Sequence, residues 1–397
     1  MQSNNLNNIN NLDPLHLKNS ENVPGSFLAL PKSVPSSHEA KTIYKKEEFI
    51  IDSRYELISI LGKGSYGTVC SAIDINNNNN PIAIKKVCKI FTKDVLLKRA
   101  LREVKLMIFF RGHKNIISLI DIDLSYKKPY EGLYCFQELM DHDLARVIVG
   151  SAQFSNLMIQ SFIYQILCGI KYIHSADVIH RDIKPNNILV TAQGILKICD
   201  FGLARGINEK WMYDYNNKQI TSYVATRWYR APELILAKKL YGKEVDMWSI
   251  GCIIGELYGR KPLFIGNDSI KQIIEICKVL GAPNREIIQS FKSKSAVSFF
   301  FEQPCFHKRD WGLVYPLMPL DCQTLIDNLL MWNPKKRYTA EQALNHSFLL
   351  TVRNPDSEAS TREIFNFEFE KNHHSMNEME QLLNEEIINF KVQKKGQ

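Results

Sequence analysis

Hydrophobic and polar positions change period along the chain in a way that predicts two regions. RYELISILGKGSYGTVCSAIDI, residues 54–75, mixes β-branched and aromatic residues with glycine turns and predicts a β-hairpin. Asn76–Asn80 follow as five consecutive asparagines, which cannot pack an apolar face and are expected in a loop between strands. PIAIKKVC predicts the next strand. In DVLLKRALREVKLMIFF, Leu97, Leu101, Val104 and Met107 recur at helical spacing. NIISLIDIDL and GLYCFQELM predict two more strands, and Leu157–His174 a further helix. MDHDLARVI starts a mainly helical region, and beyond Glu233 helices alternate with loops containing Gly and Pro. The expected class is α+β, with a small β-rich N-lobe (49–140), a larger helical C-lobe (141–349) and a join near Glu138–Asp143. Before them, an Asn/Ser/Pro-rich stretch (1–48) carries no period, so a disordered tail is expected with order starting near Phe49. After them, a C-terminal extension (350–397) loses pattern from Asn354 and ends in a charged helix around Met379–Phe390.

Composition narrows the class without deciding the function. With 397 residues, 45% hydrophobic and 23% charged, the chain is an ordinary globular mixture. Fifty basic against 42 acidic residues give a net charge of +8, too modest at this length to argue for nucleic acid. Nine scattered cysteines without a CxxC pair argue against a zinc ribbon or disulfide scaffold, leaving reduced thiols as the expectation. No signal core and no run of 18 apolar residues is present, so membrane insertion is not expected.

Chemistry enters at four places. Gly62, Gly64 and Gly67 let backbone approach phosphates closely, and because the chain runs on into a strand rather than a helix, the loop suits a flap over a nucleotide, with Val69 covering the base. Such glycines alone are weak evidence, since many hairpins use them. Lys85, eighteen residues beyond Gly67, could neutralise α and β phosphates if an anion holds it. Glu103 on the following helix is the candidate, although a strand lysine and a helix glutamate are by themselves ordinary surface residues. In His180-Arg-Asp182-Ile-Lys184-Pro-Asn-Asn187, Asp182 could orient and deprotonate a hydroxyl, Lys184 steady a transferred phosphoryl group, and Asn187 ligate a divalent ion. His180 suits a packed core residue better than a base. Asp200, in Asp-Phe-Gly thirteen residues past Asn187, is a hard carboxylate at a tight turn that suits magnesium.

Together with Ala231-Pro-Glu233 downstream, the ordered set resembles the eukaryotic protein kinases over about residues 55–349. GHKNII, HRDIKP, DFGLARG and VATRWYRAPE resemble the mitogen-activated branch of the CMGC group. LLKRALRE, GLYCFQEL and YQILCGIKYIHSADVIHRD are similar to its sporulation-specific kind in budding yeasts. The resemblance implies the bilobal kinase fold with an insert at about 280–311. It also implies ATP and Mg2+ as cofactors, with nucleotide contacts at Leu61, Gly62, Lys63, Gly64, Ser65, Tyr66, Gly67, Thr68, Val69, Ala83, Lys85, Gln137, Glu138, Met140, Asn187 and Asp200. Glu138 and Met140 are expected to act through their backbones, with replaceable side chains. The metal ligands it implies are Asn187 and Asp200. Cys199 is expected in the pocket floor without a redox role.

The resemblance further implies a lip phosphorylated on Thr221 and Tyr223, here with Ser222 between them where Glu, Pro or Gly is common. A phosphate orders a loop only where arginines converge on it. Arg102, Arg181 and Arg205 are the implied receptors for Thr221, and Arg227 and Arg230 for Tyr223. Glu233–Arg337 is the expected buried ion pair, and Asp246 the expected anchor of the catalytic-loop backbone. Implied partners are protein substrates with Ser/Thr-Pro sites and an upstream kinase or activator protein, acting on a monomer in cytoplasm and nucleus. The acidic docking patch is reduced to Asp356 and Glu358, with Asn354 and Ser357 at positions where acids are expected. A cyclin-dependent-type kinase lacks the second lip residue Tyr223. A catalytically silent scaffold would lack Lys85, Asp182 or Asn187, all of which are present.

Overall fold

The computed structural model describes residues 40–44, 47–64, 67–207, 226–236, 242–302, 305–371 and 374–395. In chain order the elements used below are β1 (Ala40–Tyr44), β2 (Glu47–Ile51), β3 (Tyr55–Gly64), β4 (Gly67–Asp74), β5 (Asn80–Val87), α1 (Asp94–Phe109), β6 (Leu119–Ser125) and β7 (Gly132–Glu138). They continue with β8 (His142–Asp143), α2 (Leu144–Val149), α3 (Asn156–Ser175), β9 (Val178–Ile179), β10 (Ile188–Val190), β11 (Leu196–Ile198) and β12 (Arg205–Gly206). Then come α4 (Pro232–Leu236), α5 (Glu244–Gly259), α6 (Ser269–Leu280), α7 (Arg285–Ser290), α8 (Lys294–Glu302), α9 (Trp311–Val314), α10 (Leu320–Leu329), α11 (Ala340–Leu344), α12 (Glu368–Lys371) and α13 (Met376–Lys395).

The chain divides into two compact units. One takes the described residues through Gly112, then 117–141 and α13; the other takes 113–116 and 142–371. The first is built on a five-stranded antiparallel sheet in the order β3-β4-β5-β7-β6, with β1 and β2 forming a separate hairpin. Strand pairing puts Cys70 opposite Ile84, Ala72 opposite Ile82 and Ile84 opposite Phe136. Because directly paired residues share a face, these side chains form one apolar surface, closed by Phe49, Ile51, Tyr55 and Tyr134. Tyr55 and Phe136 stack with ring centroids 4.5 Å apart. In the asparagine run, Asn78 and Asn79 take left-handed φ of 50° and 56°, which asparagine tolerates better than most residues. The hairpin corrects one expectation: strand structure begins at Ala40, ahead of Phe49. A strand pair this short carries too little alternation to stand out from the polar sequence before it.

The second unit is helical. From Val245 to Leu257 every residue of α5 is buried, Asp246 and Glu256 included, so this helix runs through the interior. It packs on α3 and α10. Ile159, Ile163, Ile166, Ile170 and Ile173 lie on the buried positions of α3. Two small sheets, β8-β10-β11 and β9-β12, hold the loops that carry the HRD and DFG motifs. The expected ion pair is present, with Arg337 Nη1 2.7 Å from Glu233 Oε1 and Nη2 3.2 Å from Oε2.

Candidate active site

In the first unit, cross-strand register sorts the expected nucleotide residues by face. Val69 pairs with Lys85, Lys85 with Cys135, and Ala83 with Gln137, so all five share the face opposite the apolar core. Thr68 pairs with Lys86 and lies buried on the other face, so its side chain does not join them. Lys63 pairs with Thr68 and Gly64 with Gly67 across the mouth of the β3–β4 hairpin. The turn residues Ser65 and Tyr66 lie outside the described residues, and Leu61 is exposed. The three glycines differ in cause. A Cβ on Gly67 would sit 2.0 Å from the Lys86 carbonyl oxygen, so close approach to β5 demands this glycine. Gly62 has open space around it and Gly64 nearly so, as a surface that receives a ligand's backbone-proximal groups requires.

Lys85 Nζ lies 2.5 Å from Glu103 Oε1, joining β5 to α1. Glu103 is buried while the Lys85 side chain is 25% exposed, so the lysine is a cation fixed in place by its partner and still open to a ligand. Gln137 Nε2 lies 3.1 Å from Met107 Sδ, which turns its amide toward α1. Glu138 departs from expectation. Its Oε1 accepts the Ser118 amide at 2.7 Å while its own amide donates to the Ser118 carbonyl at 3.4 Å, so its side chain clamps the end of β7. Sequence reasoning missed this because the partner lies twenty residues upstream in an irregular segment. Met140 is buried at the end of this unit. Burial, then the nearby Glu103 charge, pushes the Cys135 thiol up to about 12, which leaves it unreactive.

In the second unit, Asp246 on α5 organises the loop after β9. His180 and Arg181 donate their backbone amides to its two oxygens at 2.8 Å each, and His174 Nε2 lies 2.9 Å from Oδ2. Burial alone would raise this carboxyl; the hydrogen bond and charge of His174 and the contact with His180 overcome that and hold it below the usual range. The anchoring matters because Arg181 has φ of +66°, a left-handed value strained for arginine. His180 is fully buried, its Nε2 3.1 Å from the Cys199 carbonyl and its ring against Phe201, which makes it a structural residue.

Asp182 Oδ2 accepts from Lys184 Nζ at 2.7 Å and from Asn187 Nδ2 at 2.8 Å, while its carbonyl accepts Asn187 Nδ2 at 2.8 Å. The Cys199 amide donates to the Asn187 carbonyl at 3.0 Å, and Ile188 pairs with Ile198, so Asn187 and Asp200 are brought to one end of the β10–β11 pair. Asp200 also has left-handed backbone, φ +65°, with its Oδ1 accepting the Gly202 amide at 3.3 Å. Asn187 spends its NH2 on Asp182, which leaves its carbonyl oxygen, and this oxygen with the Asp200 carboxylate makes a hard-oxygen pair suited to Mg2+.

The implied phosphate receptors of this unit cluster. Arg181 Nη1 and Arg205 Nη1 both lie 3.4 Å from the Leu203 carbonyl. Burial, then the charges of Arg227 and Arg181, lowers the Arg230 pKa, opposed by Asp182, so cationic charge is concentrated beside the loop. Arg181, Asp182, Thr226, Tyr229, Arg230 and Val245 line one small pocket. Arg102 is buried on α1 in the first unit. Thr221 and Tyr223 lie outside the described residues. Sequence reasoning also missed Glu256: Tyr229 donates to its Oε2 at 2.6 Å and Ser249 donates to the Tyr229 carbonyl at 2.8 Å, fixing the pocket wall. A glutamate inside an apolar helix was the available signal.

Three chains place these arrangements among known proteins, and one family profile covers most of this chain. The protein kinase domain matches residues 55–349. The sporulation-specific mitogen-activated protein kinase SMK1 of Saccharomyces cerevisiae is 50% identical over 360 residues, covering 89% of this chain and 93% of that one. The mitogen-activated protein kinase spm1 of Cytospora mali is 42% identical over 355 residues, covering 89% and 84%. The mitogen-activated protein kinase SLT2/MPK1 of Saccharomyces cerevisiae is 42% identical over 352 residues, covering 87% and 72%. A lysine locked to a helix glutamate, an aspartate held by Lys184 and Asn187, and this similarity across nearly the whole chain agree: the chain belongs to the mitogen-activated protein kinases, ATP-dependent enzymes that phosphorylate serine and threonine.

Proposed function

We propose that this kinase transfers the ATP γ-phosphoryl group to Ser/Thr-Pro sites and is switched on by phosphorylation of Thr221 and Tyr223. The observation that carries the catalytic part is the Asp182 carboxylate. Its Oδ2 is engaged by Lys184 and Asn187, which orients the group and leaves Oδ1 to accept the acceptor hydroxyl proton. Lys184, already at Oδ2, stands where a transferred phosphoryl oxygen would meet its ammonium. Lys85, held by Glu103, takes α and β phosphate oxygens. Asn187 and Asp200 would hold Mg2+, which when bound neutralises phosphate charge. Phosphoryl transfer asks mainly for such positioning and charge.

The regulatory part is supported by the arginines. Arg181 and Arg205 meet at the Leu203 carbonyl, and Arg227 and Arg230 concentrate positive charge beside Asp182. A phosphate with nearly two charges joins such a group by charge-assisted hydrogen bonds and orders the lip. The proline preference is supported by the pocket beside Asp182, walled by Tyr229 and Val245; proline lacks an amide hydrogen and needs no acceptor there. The sporulation role printed for the 50% identical relative is proposed for this chain also, with action in cytoplasm and nucleus on a monomer.

Purified protein assayed on a peptide array, before and after dual lip phosphorylation, tests the biochemical reading. Ser-Pro and Thr-Pro peptides should turn over at least tenfold faster than Ser-Ala partners, and Thr221→Ala or Tyr223→Phe should remove most of the activation. Equal rates on both peptide sets would refute proline direction; activity indifferent to lip phosphorylation would refute the switch. Restored sporulation in a Saccharomyces strain lacking SMK1 is the expected biological result.

A further inference from the structure

The residues 376–395 lie far along the chain from Glu103, yet α13 belongs to the same unit. The charged appearance of NEMEQLLNEEIINFKVQKK hides a stripe. Met379, Leu383, Ile387 and Phe390 follow at spacings of four, four and three, and all are buried. The stripe packs on α1 and β6. Polar contacts surround it on both partners. Glu386 pairs with Lys105, Asn384 Nδ2 donates to Tyr126 Oη at 2.7 Å, and Lys391 and Lys394 reach Asp123 and Asp121 at 2.6 and 3.2 Å. The Arg111 guanidinium lies 5.2 Å from the Phe390 ring centre.

The position of Lys105 gives these contacts a consequence for phosphoryl transfer. It follows Glu103 by two residues, a rotation of about 200° at 3.6 residues per turn. One side of α1 therefore presents Glu103 to Lys85, and the opposite side presents Lys105 to Glu386. The start of α1 has no side-chain cap, so tertiary packing rather than local capping has to fix the helix. The Lys105 and Glu386 side chains are 21% and 26% exposed, sheltered enough for the pair to hold a geometry.

We propose that α13 is a positioning element of the phosphotransfer site: through the Lys105–Glu386 pair and the buried stripe it fixes α1 against the sheet, and thereby places Glu103 and the Lys85 ammonium. Neither Lys105 nor Glu386 touches substrate. Their effect passes through Glu103.

A charge-swap cycle tests this in the full chain, phosphorylated on the lip and assayed with ATP and myelin basic protein, every variant read against wild type on the same acceptor so that acceptor preference cancels. Glu386→Lys and Lys105→Glu should each lower kcat about fivefold, with KM for the acceptor protein unchanged. The double variant Lys105→Glu/Glu386→Lys should return kcat to within about twofold of wild type, which general loss of packing would not do. Full kcat in Glu386→Lys, or a double variant as impaired as the singles, overturns the proposal. If the reversed-charge variants do not fold, Glu386→Gln decides: a kcat lowered about twofold or more at an unchanged melting temperature supports the proposal, and an unchanged kcat overturns it.

Discussion

Asp246→Asn keeps the volume of a buried side chain and removes its charge. The carboxylate now accepts two backbone amides at 2.8 Å and faces His174 at 2.9 Å. An asparagine has one oxygen to offer, so whichever way its amide turns, an NH2 group meets the N–H of His180 or Arg181. One charge-assisted bond is lost and one buried donor is left without an acceptor, together about 3 kcal/mol. Arg181 stands in a left-handed conformation that itself costs about 1–3 kcal/mol and persists only while its surroundings impose it. Releasing about 3 kcal/mol of restraint lets the loop relax and lowers the fraction of molecules with Asp182 in place by up to about 100-fold. The assay is steady-state kinetics beside thermal unfolding. Expected are a kcat lowered about 30- to 100-fold and a KM for ATP changed less than about threefold, because Lys85 and Glu103 belong to the other unit. The folded-state pKa of Asp246 is depressed, so its stabilisation is complete above the unfolded carboxyl value and lost only as pH falls through the folded one. The deficit of the variant should therefore be the same at pH 6 and pH 8. A variant with kcat within about threefold of wild type and an unchanged melting temperature would show that Asp246 does not hold the loop.

Four further outcomes follow from other contacts. Lys85→Met should lower kcat/KM more than about 100-fold, and Glu103→Gln about tenfold, in chains with wild-type circular dichroism; near-normal rates in either would remove the pair from the site. Glu138→Ala opens the Ser118 clamp and should raise KM for ATP about fivefold at constant kcat, an effect absent if the side chain is idle. Gly206→Ala would bring a Cβ to 2.6 Å from the Phe367 ring, destabilising the second unit by about 1–3 kcal/mol in urea unfolding, with recovery expected on adding Phe367→Leu. Burial, then the charges of Lys114 and Lys197, depresses His113 to about 4. The unfolded chain therefore takes up the proton first, and stability should fall by about 2 kcal/mol between pH 7 and pH 5. Tryptophan fluorescence should detect that fall in wild type but not in His113→Gln.

The parts of this fold legible in sequence are those whose signal is local. The spacing of Leu97, Leu101, Val104 and Met107 specifies α1 because one helix face suffices to bury them. The HRD and DFG motifs are legible because phosphoryl transfer needs particular donor atoms in a fixed order. What stayed hidden depends on distant partners. Around Met379–Phe390 the charges predominate, and the structure extends the helix to 376–395 because its apolar stripe has α1 to cover it. Gly62, Gly64 and Gly67 look equivalent in sequence, yet of these three only Gly67 is pressed against another strand, a distinction that β5 creates. Glu138 reads as a backbone contact with a replaceable side chain until the Ser118 amide is seen donating to its carboxylate.

The docking stretch shows why counting charges overstates a site. Sequence leaves two acids there, Asp356 and Glu358, but only the first is exposed. Arg353 Nε and Nη2 lie 2.7 and 3.3 Å from the two Glu358 oxygens, and Lys171 Nζ lies 3.6 Å from Oε2, with the glutamate side chain 5% exposed. Lys171 also donates to the Glu358 carbonyl at 2.9 Å, and Tyr164 donates to the Asn354 carbonyl at 2.7 Å. Glu358 thus helps fasten the segment to α3. Its charge is already balanced by two cations, and an incoming basic peptide would have to displace them at the cost of a buried glutamate losing its partners. Asp356 then remains as a solvated carboxylate whose pairing with a peptide cation is worth about 0–1 kcal/mol. An activator that recognises this kinase must therefore draw most of its affinity from surfaces other than this acidic stretch.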